Sequence, residues 1–146
     1  MKIYNLCPKT NVEEIILNGM PPNSRWYLHI YPDVFDYEKA QKDLREEHVI
    51  LVSDIRRLQQ KEMDIDYEKI LNPPEFVTQI SSEDIYNELD IMNWKNTSEL
   101  IGSFIYKEHI SIGNLGVQIG NNIHNLNKLS NKYNEKLSSF IKEQSY

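Results

Sequence analysis

At roughly 100–200 residues per domain, 146 residues make one domain or a small core with an appendage. A chain of this size buries about two-thirds of its unfolded surface and needs no disulfide or metal staple. Its 40% hydrophobic and 26% charged fractions are ordinary for a soluble globular protein, and the net charge of −6 disfavours broad binding to a phosphate backbone.

The longest uninterrupted apolar run, Val49–Val52, is too short for a bilayer span. No basic stretch followed by an apolar segment opens the chain, which predicts a cytoplasmic product. Cys7 is the only cysteine, excluding an internal disulfide and a cysteine-based zinc site. Charge is unevenly spread. Residues 1–91 hold 10 Lys/Arg against 18 Asp/Glu, whereas residues 92–146 hold 6 against 4. The single alanine, Ala40, beside abundant Ile, Asn and Lys, points to an AT-rich coding genome of a bacterium, phage or virus.

In chain order, Met1–Leu6 suits a short strand, stopped by Pro8, which offers no ladder donor. Asn11 is placed to cap a helix over Val12–Asn18, with Glu13 and Glu14 favourable at its positive end. Gly19 then occupies the helix C′ position, where positive φ is needed, and Pro21-Pro22 forbids continuation. Arg25–Tyr31 reads as a strand with Tyr27, His29 and Tyr31 on one face and Trp26, Leu28 and Ile30 on the other. A charged helix is expected over Asp36–His48, and Val49–Ile55 suits a strand covered on both faces. Residues 56–74 read as a loop with a helical turn at Tyr67–Leu71. Another strand is expected at Glu75–Ile80, with Ser81 or Ser82 capping a turn into Ile85–Leu89.

From Asn93 onward the pattern reads as helical, with Thr97 capping a helix through His109. Gly113, Gly116 and Gly120 lack the spacing and context of a nucleotide-binding loop. Ile123, Leu126, Leu129, Tyr133, Leu137, Phe140 and Ile141 step by three or four, predicting one amphipathic helix to the C-terminus. Its stripe has three outlets: the chain's own core, a second copy as a homodimer, or a partner's groove. The fold class is α/β: a small mixed β-sheet with short helices in residues 1–91, and a helical C-terminal extension in 92–146 packed on it.

The stretch YNLCPKTNVEEIILNG, residues 4–19, resembles the opening of ADP-ribosyltransferase-fold proteins. That family, which includes RNA 2′-phosphotransferases and DNA-modifying toxin transferases, commonly opens with a tyrosine-histidine-glycine-threonine motif, then an asparagine, an apolar helix and a glycine. Spacing from Tyr4 to Gly19 matches without a gap. The tyrosine-bearing strand, the helix with an alanine, the apolar strand and the late strand with a glutamate are similar in order to Trp26–Tyr31, Tyr37–Leu44, Val49–Ile55 and Glu75–Ile85. Together these pieces cover roughly residues 1–90. The resemblance implies an NAD cofactor held by Asn5 and by Tyr27 or Tyr31. It implies Glu75 as the catalytic group, stabilising a developing oxocarbenium ion, with protein or nucleic acid as acceptor. Asn5 stands where the family has its ribose-holding histidine, and Cys7 stands where it has a threonine.

Each of these residues also has a plain structural reading. Tyr27 and Tyr31 suit half-buried packing with a wet hydroxyl, Glu75 an exposed loop acid, and Cys7 a small buried hydrophobe. Asn5 suits a bond to a neighbouring turn. The four histidines lack zinc-site spacing, and Asp64-Ile65-Asp66 falls far short of a calcium loop. A second functional expectation follows. The chain is a small phage, viral or immunity-type inhibitor that docks a partner protein through its acidic N-terminal surface or its C-terminal helix, away from any membrane.

Overall fold

The computed structural model describes residues 1–29, 47–71 and 93–144. The strands are β1 (Lys2–Pro8), β2 (Ser24–Tyr27), β3 (His48–Asp54), β4 (Met63–Asp64), β5 (Ser103–Tyr106), β6 (Gly116–Ile119) and β7 (Asn122–Asn125). The helices are α1 (Val12–Asn18), α2 (Tyr67–Leu71), α3 (Trp94–Ile101), α4 (Leu126–Tyr133) and α5 (Leu137–Gln144). All seven strands form one sheet in the order β4-β5-β2-β1-β3-β6-β7. The α/β class read from the sequence holds, and every pairing among these strands is antiparallel.

Strand β1 lies near the middle, paired with β3 from Lys2↔Asp54 to Pro8↔His48. Alternation sends Ile3 and Cys7 to one face, together with Val49 and Leu51 of β3, Trp26 of β2 and Phe104 of β5. On that face the main core forms with Val12 and Ile15 of α1, Leu126 and Leu129 of α4, and Leu137 and Ile141 of α5. Trp26 and Phe104 are completely buried there. The opposite face carries a smaller cluster, Ile50 and Val52 with Tyr4 and Leu6 against them. Burial on both faces accounts for the nearly continuous apolar run of β3.

The C-terminal third departs most from expectation. Residues 97–109 do not form one helix: α3 ends at Gly102, whose φ of 83° is left-handed, and β5 follows at once. Far from extending a finished core, this segment inserts β5 between β4 and β2 and adds β6 and β7 at the other edge. The boundary at 91/92 therefore does not divide the sheet. Gly120, at φ 60°, begins a two-residue turn between Ile119 and Asn122, joining β6 to β7. The single helix expected over 123–141 is two helices preceded by a strand. Asn134, at φ 51°, breaks the run, and a 3₁₀ turn over Asn134–Lys136 leads into α5. Asparagine is among the residues found at the positive-φ positions of mirror-image turns. The expected helix Asp36–His48 lies outside the described residues except at its end, where His48 begins β3. The expected elements at Glu75–Ile80 and Ile85–Leu89 also lie outside them.

At the N-terminus the expectations hold closely. Helix α1 spans Val12–Asn18 with Glu13 and Glu14 in its first turn. Asn11 makes no side-chain cap bond, because the preceding 3₁₀ turn holds its backbone at φ −99°, ψ −5°, outside the extended region from which a cap reaches back. Gly19 has φ 77° and ψ −172°, a conformation open almost only to glycine. There Met20 exchanges backbone hydrogen bonds of 2.8 and 3.0 Å with Ile110, and the His109 ring meets the Asn18 carbonyl. A Cβ on Gly19 would overlap the Ile110 carbonyl oxygen and stand 2.7 Å from His109 Nε2. Gly19→Ala is expected to cost about 1–3 kcal/mol from the backbone alone, read as a lower urea midpoint. An unchanged midpoint would show that this close approach carries no constraint.

Candidate functional site

Asn5 lies half-buried in β1, and its side-chain amide donates to the Arg25 carbonyl at 2.8 Å. Tyr4 pairs with Tyr27 across β1 and β2. Tyr27 therefore points to the face opposite Asn5, because successive residues alternate. The two expected cofactor-binding residues on the described strands are neighbours in the sheet but on opposite sides of it. Tyr31 and Glu75 lie outside the described residues. Cys7 faces the main core at 3% exposure, and burial pushes its thiol up to about 11.

The surroundings of Tyr27 form a polar network that the sequence did not disclose. Asp66, 1% exposed, accepts from Arg25 Nε at 2.7 Å and from Ser103 Oγ at 2.6 Å. A second bond to its other oxygen comes from the Arg25 guanidinium at 3.1 Å, making the contact bidentate. Arg25 also reaches Glu68 at 2.6 Å, on the exposed side. Asp66 precedes α2 and receives the Lys69 backbone N–H at 3.4 Å, a long capping contact. The bonds to Asp66 hold the Arg25 guanidinium above its ordinary value against the opposing effect of burial. Burial raises Tyr27 as well, against the pull of the Arg25 charge. Both Asp66 oxygens are met by Arg25, and one also by Ser103, so the network fastens β2, β5 and α2 together. Reading Asp64-Ile65-Asp66 only as a failed calcium loop missed it. The available signal was an aspartate one residue ahead of a short helix.

A groove of about 1230 Å³ lies between α1 and the α4–α5 corner. Helix α1 contributes Glu13, Ile16 and Leu17, and the corner contributes Tyr133, Glu135 and Lys136. Behind the corner, Tyr133 and Phe140 stack with ring centroids 4.2 Å apart, and the Lys132 ammonium lies 5.3 Å from the Tyr133 ring centre. Leu126, Leu129, Leu137 and Ile141 are spent in the main core, so the C-terminal stripe is largely covered by the chain itself. Leu17, 73% exposed, is not. It lines the groove, whose acidic lining residues are Glu13 and Glu135. The groove thus unites the two elements expected separately to dock a partner, the acidic N-terminal surface and the C-terminal helical segment.

Compared with known protein families, with curated protein sequences and with solved structures, the chain matches none. Among the described residues no cluster of His, Cys, Asp or Glu has the makings of a metal site, and no helix is long and apolar enough to cross a membrane.

The chemistry of Cys7 has a measurable consequence. A thiol raised from 9.0 to about 11 favours the folded state below pH 9, and that contribution is lost as pH climbs to 11. Stability is expected to fall across this window, with Tyr27 adding to the alkaline loss. Cys7→Val should flatten part of the fall, as read from urea midpoints between pH 7 and 11. Equal slopes in the two proteins would refute the assignment.

Proposed function

We propose that this chain acts by binding a partner protein, with the groove between α1 and the α4–α5 corner as its docking surface. The observation that carries the reading is the groove's apolar lining, where Leu17, 73% exposed, stands with the partly buried Ile16 and Tyr133. Apolar exposure next to a groove with a polar rim is a feature of protein interaction sites. The partner's chemistry follows from the rim. Glu13 and Glu135 outnumber Lys136 there, so the partner presents an apolar side chain flanked by Lys or Arg. An inhibitor of a cytoplasmic protein fits a small chain that spends its own polar residues on internal bonds.

A second reading has its own support. An NAD-dependent ADP-ribosyltransferase-like protein rests on the strand–helix–glycine opening. Strand β1, α1 and the positive φ of Gly19 occupy the residues that the resemblance assigns to it. Here Glu75 is the catalytic group, and Asn5 with Tyr27 or Tyr31 holds the cofactor. Asn5 in place of histidine retains hydrogen-bonding capacity, though its amide is engaged by Arg25.

Two measurements separate the readings. Affinity capture with the wild type and with Leu17→Glu, followed by measured affinity for whatever is captured, tests the first. A specific partner is expected to lose at least about 2 kcal/mol of binding, the magnitude of a hot spot, while the fold persists because Leu17 is exposed. A partner bound equally by both proteins would reject the groove. Calorimetric titration with NAD⁺ tests the second, and no heat is expected up to millimolar concentration. Micromolar binding that Glu75→Ala abolishes would replace the docking reading with the transferase reading.

A further inference from the structure

The sheet face opposite the main helical core carries a second, smaller concavity. Lys2, Val52, Asp54, Gly116, Ile123 and Asn125 sit at positions of β1, β3, β6 and β7 that the register places on this one face. With Arg57 they line a pocket of about 280 Å³. Val52 forms an apolar floor, and Ile123, 40% exposed, forms an apolar wall. Gly116 lets that wall lie close, since a Cβ there would be 2.9 Å from Ile123 Cγ2.

The rim is cationic in a chain that is acidic overall. Asp54 is the pocket's carboxylate, and both of its oxygens are engaged by the Arg56 guanidinium, at 3.0 and 2.7 Å. The Arg56 backbone N–H donates to Asp54 at 2.9 Å as well. Lys2 and Arg57 are exposed, and among the described residues neither forms an ion pair. The Met1 ammonium also lies 3.4 Å from Asp54, so positive charge is in excess beside the apolar floor.

We propose that this pocket binds a small organic anion, a carboxylate on a short branched aliphatic body. The carboxylate lies between Lys2 and Arg57, and the aliphatic part covers Val52 and Ile123. The volume lies just below the range for pockets that take drug-sized ligands, which matches a body of a few carbons. Charge alone does not define the ligand, because a bare inorganic anion leaves the apolar wall in water. This inference is independent of the partner-docking reading, which concerns the other face.

Amide chemical-shift titration of the full chain with 4-methylpentanoate, 4-methylpentanol and inorganic phosphate tests it. The carboxylate is expected to shift Gly116, Leu115 and Ile123 saturably in the millimolar range, with the alcohol and phosphate much weaker. The double variant Lys2→Gln/Arg57→Gln should weaken binding about tenfold, as should Ile123→Gln, with the remaining spectrum unchanged. No saturable shift with the carboxylate would overturn the proposal, and so would affinity unaffected by the double variant. Phosphate binding as tightly as the carboxylate would overturn the apolar half of the site.

Discussion

The contact on which one half of the sheet depends is the buried carboxylate of Asp66. A carboxylate at 1% exposure is costly unless its lone pairs are met, and here they are met by residues distant in sequence. Arg25 comes from β2, Ser103 from β5, and Asp66 itself from the start of α2. A one-residue slip would turn every side chain to the other face, and the bidentate guanidinium adds a second fixed point to the register. Register between β2 and β5 is thereby tied to the placement of α2, and the short strand β4 is carried along beside β5. Burial of such a pair adds little net stability and is strongly unfavourable to break from one side. Its contribution is to select one arrangement over slipped alternatives.

The other half relies on packing. Strand β3 is apolar on both sides, so it needs cover on both, and the helices gathered around Trp26 and Phe104 supply it on one. Those helices then create the groove as a by-product. The α4–α5 corner has to bend at Asn134 to keep Leu137 and Ile141 on the core, and the bend leaves a hollow against α1. Two concave surfaces of different chemistry result, an acidic groove on the helical side and a cationic pocket on the far side. The charge asymmetry along the chain does not map onto them segment by segment, because folding interleaves residues from both segments on each face.

What could be read from sequence was local. Strand β1, helix α1 and the role of Gly19 follow from a proline stop, first-turn acids and a C′ glycine, all within a few residues of one another. Tyr67–Leu71 was legible for the same reason. The C-terminal third was misread because Leu100, Ile101, Phe104 and Ile105 satisfy a helical period, and only Gly102 marks the switch to a strand. Gly120-Asn121 between two short β-compatible runs was a usable hairpin signal, obscured by the glycine at 116 that sits inside a strand. The partnership of Arg25 with Asp66 was illegible because 41 residues separate them. Of the candidate site, Asn5 and Tyr27 were each expected on a strand and lie on β1 and β2, but that these strands adjoin was not legible. Their opposite orientation depended on the pairing of Tyr4 with Tyr27, which spacing along the chain does not specify.

Insertion of β5 between β4 and β2 bears on how the chain reaches this state. Strand β2 cannot acquire its second neighbour until residues 103–106 arrive, so a nascent chain emerging from a ribosome holds β2 half-paired while much of the protein is still being made. Pairings that span about eighty residues also raise the loop-closure entropy of the folding transition state, which slows it relative to a sheet of consecutive hairpins. During that interval the unpaired edge of β2, with Trp26 beside it, is open to neighbouring chains. The same topology that buries Trp26 completely in the finished molecule makes its late burial the chain's period of greatest exposure to aggregation.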